Sequence, residues 1–315
     1  MQLIRRTSKS INSLKSGCVI SIGAFDGLHI GHRRILNRLI EKSNEHQLPS
    51  LVFSFEPTPK EFFNRGEPPA RLMSFREKFK VLEELGLDIF FCPAFNQSMA
   101  NLEPFDFIVK LLVDFLNIRH VVVGDDFRFA RRRSGGIEHL QQKGAEHGFS
   151  VEMVSSVIDA GRRVSSTAVR ESLESGNLED ARQLLGCYYQ MVGKVVEGKK
   201  LGRKLGMPTA NLKLNRQLSP LQGIFAVRVS GLPCLDASID CLNGVASIGT
   251  RPTIGGSEPL LEIHIFDFDQ DIYGEHLQVD FIAKLRDEEH FDNLDTLAKQ
   301  MFKDAEIART LLADK

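Results

Sequence analysis

Apolar residues fall into two rhythms along this chain. Residues 18–22, CVISI, form an unbroken apolar run stopped by Gly23, which predicts a short buried strand. From Ile30 the apolar positions Ile35, Leu36, Leu39 and Ile40 recur at helical spacing, with charged residues on the opposite face. The alternation continues with strands expected over 51–55, 88–92 and 120–124, and helices over 75–85, 104–116, the stretch after 163, and 178–185. Strands alternating with helices at these intervals predict a parallel, doubly wound sheet. Between 55 and 63, FEPTPKEFF, the prolines Pro57 and Pro59 read as excluding regular structure. They leave a stiff loop at a strand's carboxyl end, fit either for a ligand or for a plain surface turn.

Beyond Gly186 the helical periods give way to short strands over 191–196, 224–229, 244–248, 261–266 and 276–282, punctuated by glycine and proline. That pattern predicts a small antiparallel barrel, and 293–311 closes it as an amphipathic helix. The expected fold class is α/β plus β: a Rossmann-like domain over 1–186 and a β-barrel domain over 187–315.

Composition changes this picture little. A chain of 315 residues usually needs more than one core, in keeping with two domains. The formal net charge of −1 gives no electrostatic case for nucleic acid or a membrane surface as partner. The five cysteines, Cys18, Cys92, Cys187, Cys234 and Cys241, are odd in number and form no CxxC pair, as expected of reduced thiols in a cytoplasmic protein. The start, MQLIRRTSKSINSLKSG, is basic without a long apolar core, so a secretory signal is not expected, and no run approaches a membrane span.

Candidate chemistry begins at 19–32, VISIGAFDGLHIGH. Gly27 and Gly31 let backbone approach a ligand closely, and a helix start offers unpaired N–H groups to an anion. His29 and His32 then lie where they can donate to phosphate oxygens. A purely structural turn is the plain alternative, and half a zinc site is not expected, since no cysteine pair or second histidine pair completes one. In 121–136, VVVGDDFRFARRRSGG, arginines suited to phosphate sit beside aromatics that could flank a flat ring, although Arg131–Arg133 alone read as a solvated basic loop. In 163–173, RVSSTAVRESL, one of Ser165, Ser166 and Thr167 is explained as a helix cap. Three hydroxyls with Arg170 one turn inside can present a phosphate site.

The set Gly23, Phe25, Asp26, Gly27, His29, Gly31 and His32 resembles the HxGH signature of nucleotidyltransferases, in the GxFDGxHxGH version of bacterial FAD synthetases. GDDFRF resembles that family's GxDFRFG segment with Ala130 in place of glycine, and SSTAVR its SSTxxR signature. The FxPxP segment is also similar, with Thr58 where many members have histidine or glutamine. The resemblance implies adenylyl transfer, FMN phosphate attacking the α-phosphorus of ATP. Gly23, Phe25, Gly27, Gly31, Ser165, Ser166 and Thr167 would hold nucleotide and phosphate. His29, His32 and Arg170 would act on the reacting phosphates, and Asp126, Phe127 and Arg128 would contact flavin. Asp126 could act through Mg²⁺ or by orienting substrate.

In the second half, 193–212 is glycine-rich and basic and ends in PTANL; a basic hairpin would account for the loop alone. Thr209 and Asn211 alternate on an extended strand and offer hard oxygen ligands suited to Mg²⁺. The segment resembles the riboflavin kinase signature GxxLGxPTAN, and GVASIGTRPT (244–253), LEIHIFD (261–267) and LRDE (285–288) continue the likeness. Glu197 stands where many members have histidine, and Ser247 where many have asparagine. The resemblance implies nucleotide contacts at Gly198, Arg203, Gly206 and Pro208, flavin contacts at Arg251 and Thr253, and metal at Thr209 and Asn211. It makes Glu262 the general base, otherwise readable as an edge-strand charge facing water.

The expected whole is a bifunctional riboflavin kinase/FAD synthetase using ATP and Mg²⁺, with riboflavin, FMN and FAD as substrates or products, acting as a monomer or weak homo-oligomer. A kinase with a catalytically silent, flavin-sensing N-terminal domain is the alternative. A nucleotide- or nucleic-acid-binding protein and an adenylyltransferase for another phosphorylated substrate are further rivals.

Overall fold

The computed structural model describes residues 1–6, 14–64, 66, 68–198, 201–232, 240–253 and 256–313, without the side chains of 201, 204 and 250–258. The chain packs as two compact units: Met1–Pro69 with Lys78–Val164, and Ala70–Glu77 with Ser165–Lys315. The periodicity of the sequence changes near 186, whereas packing divides the chain after Val164, because the helix over 178–185 packs on barrel strands and the helix over 166–174 packs on that helix.

The first unit is built on a wholly parallel sheet of β1 (Gln2–Ile4), β2 (Cys18–Ile22), β3 (Ser50–Phe53), β4 (Ile89–Phe91), β5 (Ile118–Gly124) and β6 (Ser150–Val154). Their spatial order is β1-β4-β3-β2-β5-β6. All five residues of β2 are buried, which explains the unbroken apolar run in its sequence. Between strands run α1 (Ile30–His46), α2 (Pro59–Phe63), α3 (Phe75–Glu84, its first three residues counted with the second unit), α4 (Gln97–Ala100), α5 (Pro104–Asp106) and α6 (Ile137–His147). The core on one face gathers Ile20, Ile22, Phe53, Phe91, Ile108 and Val123. The antiparallel pair β7 (Ile158–Asp159) and β8 (Arg162–Arg163) ends the unit.

Two expectations need correction. Pro59 does not exclude a helix: it occupies the first turn of α2, where its missing N–H costs nothing, and Thr58 caps that helix in a capping box with Glu61. The helix over 104–116 is not uniform, since α5 runs on as a π-helix over Phe107–Val113. β1, β6 and α6 are additional elements. α6 buries only Leu140 and Gly144, too little to show as a periodic stripe.

The second unit begins with α7 (Ser166–Glu174) and α8 (Leu178–Leu185), followed by β9 (Tyr189–Val196), α9 (Leu201–Lys204), β10 (Ala210–Lys213), β11 (Gly223–Ser230), β12 (Leu242–Thr253), β13 (Gly256–Ile265) and β14 (His276–Arg286). The strands close an antiparallel barrel in the order β10-β13-β12-β11-β14-β9, with β9 returning to β10. Leu261, Ile263 and Ile265 point inward from β13 and are buried. The closing helix α10 (Leu294–Ala313) lays Ala305, Ala308 and Leu312 against Ala226, Val245 and Ile282. Arg286 fastens it through Asp304, at 2.8 Å. Inside the same unit Glu77 and Arg216 form a buried ion pair at 2.7 Å, and Glu77 also accepts from the Val192 N–H.

Candidate functional site

Strand order locates the first site. From β2 the chain moves outward to β3 and β4, then returns to lay β5 and β6 on the other side of β2. The carboxyl ends of β2 and β5 therefore flank a topological switch point, where open α/β sheets bind ligands. The turn 23–29 follows β2, and Asp125 and Asp126 follow β5, which ends at Gly124.

Within that turn Phe25, Gly27 and Leu28 all have positive φ, at 47°, 85° and 41°. His29 is the N-cap of α1: its Nδ1 accepts the His32 backbone N–H at 3.2 Å. A neutral His29 must then carry its proton on Nε2, where it is a donor. No acidic side chain occupies the first turn of α1, whose positive end favours an anion. The two imidazoles stack, with centroids 3.7 Å apart and planes at 17°. A Cβ on Gly31 would lie 3.2 Å from two atoms of the His29 ring, so glycine leaves the ring its seat. Phe25 is buried and meets His32 at 5.2 Å in an edge-on contact, supporting the ring from within the core.

Electrostatics hold both imidazoles neutral. Burial pushes His29 down to about 4, opposed by the Asp26 and Asp126 carboxylates, while Arg163 pushes the same way as burial. His32 lies well below its usual range through burial, the His29 ring and the Lys78 ammonium. The Nδ1 of His32 is buried and has no hydrogen-bond partner among the described residues.

At the end of β5, Asp125 accepts from the Ser156 N–H and hydroxyl, bonds that hold its carboxyl below the usual range. Arg163 reaches Asp126 at 2.8 Å and Asp125 at 3.3 Å. Phe127 stacks on the buried Phe129 with centroids 5.4 Å apart, and Arg128 is exposed, 3.9 Å from Glu138. Arg131 pairs with Glu103 at 2.9 Å. Ala130 adopts φ 63° and ψ −170°, a region that glycine alone enters readily. Arg163 and Lys78 are site-lining charges missed by the sequence reading. Arg163 adjoined the SST run in the sequence, but nothing in the pattern pointed to Lys78.

The SST run opens the second unit. Ser165 caps α7 by accepting from the Ala168 N–H at 3.1 Å, so it is the hydroxyl that capping explains. Arg170 is half-buried, its Nε donating to the Ala70 carbonyl at 2.6 Å and a second nitrogen to the Ser166 carbonyl at 3.1 Å.

On the barrel, Glu262 stands directly opposite Asn211 of β10 on one side and Ser247 of β12 on the other. Paired residues share a face, so the three side chains line the outer face of the barrel. Asn211 is nevertheless only 7% exposed. The segment before β10 covers it: a Cβ on Gly198 would fall 2.3 Å from its amide nitrogen, and the His264 ring Nδ1 donates to the Pro208 carbonyl at 2.8 Å. A Cβ on Gly202 would reach 3.2 Å from the Thr209 hydroxyl. Gly206 has φ +83°, and Arg203, Gly206 and Pro208 are exposed. The side chains of Arg251 and Thr253 lie outside the described residues.

A hydroxyl and an amide oxygen beside a glycine-lined cradle fit Mg²⁺ carried on a nucleotide, because that ion keeps waters and phosphates among its ligands. Among the described residues no three His, Cys, Asp or Glu side chains come together to hold a metal by themselves.

Comparison with known proteins agrees with both halves. Residues 11–168 match the family model described as FAD synthetase, and residues 185–312 match the one described as riboflavin kinase. A bifunctional riboflavin kinase/FMN adenylyltransferase of Escherichia coli strain K12 is 43% identical over 309 residues, covering 98% of this chain and 97% of its own. The Pseudomonas fluorescens protein of the same description is 42% identical over 314 residues, with 99% and 98% covered. A Streptococcus pneumoniae crystal structure described as a macrolide-efflux protein superposes with a TM-score of 0.80 at 29% identity, covering 98% of each chain.

Proposed function

The chain belongs to the bifunctional riboflavin kinase/FMN adenylyltransferase family, and from that premise we infer how its own residues divide the work. It phosphorylates riboflavin to FMN and adenylylates FMN to FAD with release of pyrophosphate, using ATP and Mg²⁺. We take 1–186 as the adenylyltransferase part and 187–315 as the kinase part, in keeping with family matches that stop at 168 and resume at 185.

The stacked, neutral His29–His32 pair at the switch point carries the adenylyl assignment. The FMN phosphate oxygen forms a bond to the α-phosphorus of ATP, and the bond to the pyrophosphate oxygen breaks. No protein nucleophile is needed, only in-line placement and stabilisation of charge that grows on the phosphates. His29 donates from Nε2, and the start of α1 and the backbone of Gly23, Gly27 and Gly31 favour the same anion. Phe25 serves by seating His32. Asp126, tied to Arg163, together with Phe127 and Arg128, is assigned to the flavin side. The Ser165, Ser166, Thr167 and Arg170 run is assigned to phosphate on its motif and on its place at the start of α7.

In the kinase step the ribityl 5′-hydroxyl attacks the γ-phosphorus of ATP and ADP leaves, with Glu262 taking the hydroxyl proton. Its neighbour Asn211, with Thr209, would hold Mg²⁺, which neutralises charge on the phosphates. Gly198, Arg203, Gly206 and Pro208 are assigned to the nucleotide, and Arg251 and Thr253 to flavin. We take the protein as cytoplasmic, as a monomer or weak homo-oligomer, and as having neither nucleic acid nor membrane as partner, a reading supported only by the lack of a net positive charge. No described helix is long and apolar enough to cross a membrane.

The division is tested by reciprocal substitution. Glu262→Ala should abolish FMN formation while leaving FAD formation from added FMN, and His29→Ala with His32→Ala should do the reverse. Loss of both activities from either folded variant refutes the assignment of residues to steps.

A further inference from the structure

Lys78, on α3, is only 5% exposed. Lysine is seldom buried to that degree, because its ammonium gives up strong hydration on leaving water. Its Nζ donates to the carbonyl of Ala24 at 2.6 Å. Ala24 lies in the turn between Gly23 and His29, beside the positive-φ residues Phe25, Gly27 and Leu28. Lys78 is also near enough to His32 for its charge to oppose protonation of that imidazole. One buried cation thus holds the backbone of the turn and lies near His32, and neither the HxGH pattern nor the imidazoles alone account for it.

We propose that Lys78 is a positioning residue for adenylyl transfer: it fixes the Gly23–His29 turn through the Ala24 carbonyl and places a buried positive charge near His32. A positive charge held in the protein interior acts through low dielectric and needs no reorganisation as negative charge grows on the phosphates in front of it. It adds to the burial that holds His32 neutral, so that the imidazoles work as N–H donors while Lys78 supplies the fixed charge. The proposal rests on the assignment of the histidine pair to adenylyl transfer.

The test compares loss of the cation with its retention. Lys78→Gln removes the charge and leaves an amide donor one bond shorter than the lysine, whereas Lys78→Arg keeps a cationic donor of at least the same reach. In full-length protein the Gln variant should lower kcat for FAD formation from FMN and ATP about tenfold, with KM for ATP changed less than about threefold, and riboflavin kinase activity should stay at the wild-type rate. Histidine NMR titration should show the His32 pKa rising in the Gln variant, and the Arg variant should restore at least about a third of the rate. Wild-type FAD formation in Lys78→Gln overturns the proposal, as does an Arg variant that folds, retains kinase activity and makes no FAD. A Gln variant that fails to fold leaves the Arg variant as the deciding measurement. Absence of FAD formation in the wild-type protein would instead refute the functional assignment beneath it.

Discussion

Replacing Gly31 by alanine isolates the placement of one imidazole from the stability of the fold. Gly31 lies within the first turn of α1, where alanine suits the backbone and improves helix propensity by up to about 1 kcal/mol over glycine. The added Cβ would meet the His29 ring atoms Cε1 and Nδ1 at 3.2 Å, so the ring must give by a few tenths of an ångström. That ring is held by the bond from the His32 N–H and by its stack on His32, and shifting it weakens a cap worth about 1 kcal/mol. The two stability effects oppose each other and leave unfolding within about 1 kcal/mol of wild type. Activity should respond far more. A misplacement of about 1 Å costs on the order of a hundredfold in rate, so a shift of a few tenths should cost roughly tenfold, or about 1.4 kcal/mol in the barrier. Chromatography of flavins would follow FAD formation from FMN and ATP, with FMN formation from riboflavin measured in the same sample. A Gly31→Ala protein that melts like wild type and makes FAD at the wild-type rate would refute the idea that the seat of His29 matters. Equal loss of both activities would show a general defect.

The geometry sets three further outcomes. In the ligand-free protein His29 is pushed down to about 4 against an ordinary value of 6.5, so NMR should find it neutral at pH 7. The unfolded chain takes that proton near 6.5 and the folded one only near 4, so His29 withdraws up to about 3 kcal/mol of stability as pH falls from 6.5 to 4. His29→Asn, which keeps a cap acceptor, should lose less stability over that window, and equal acid losses would refute the burial argument. Ala130→Gly should raise the thermal midpoint by a few degrees, because relief of a strained φ of 63° outweighs the chain entropy of glycine by about 1 kcal/mol; an unchanged or lower midpoint would contradict it. Glu77→Ala should destabilise its unit by about 3–5 kcal/mol in denaturant unfolding, since Arg216 and the Val192 N–H lose a buried partner; a loss under 1 kcal/mol would mean that water replaces the carboxylate.

What could be read from the sequence was whatever repeats or stands in apolar surroundings. β2 matched residue for residue because all five of its side chains are buried, and α8 because a clean periodic face ends at Gly186. The barrel strands came out short: β12 runs through Gly249 and Pro252, and β13 through Pro259, residues that usually read as turns. α2 was lost for the same reason, since a proline that breaks a helix interior is acceptable at its start. Near the candidate site the motif gave His29, His32 and Gly31, but not the reason for the glycine, which is a contact two residues back along the chain. Phe25 read as a nucleotide contact, whereas its ring is buried against His32. Lys78 was invisible because its neighbour Ala24 is 54 residues away in sequence, and only the fold brings a lysine of α3 to that carbonyl.

The most direct test of the account follows flavins over time after pure protein is mixed with riboflavin, ATP and Mg²⁺, with a parallel reaction started from FMN. Riboflavin should pass through FMN to FAD, with ADP formed in the first step and pyrophosphate in the second. Accumulation of FMN without FAD, under reducing conditions as well, would contradict the adenylyl assignment and leave a kinase with a silent N-terminal half. No conversion by a folded sample would contradict both assignments.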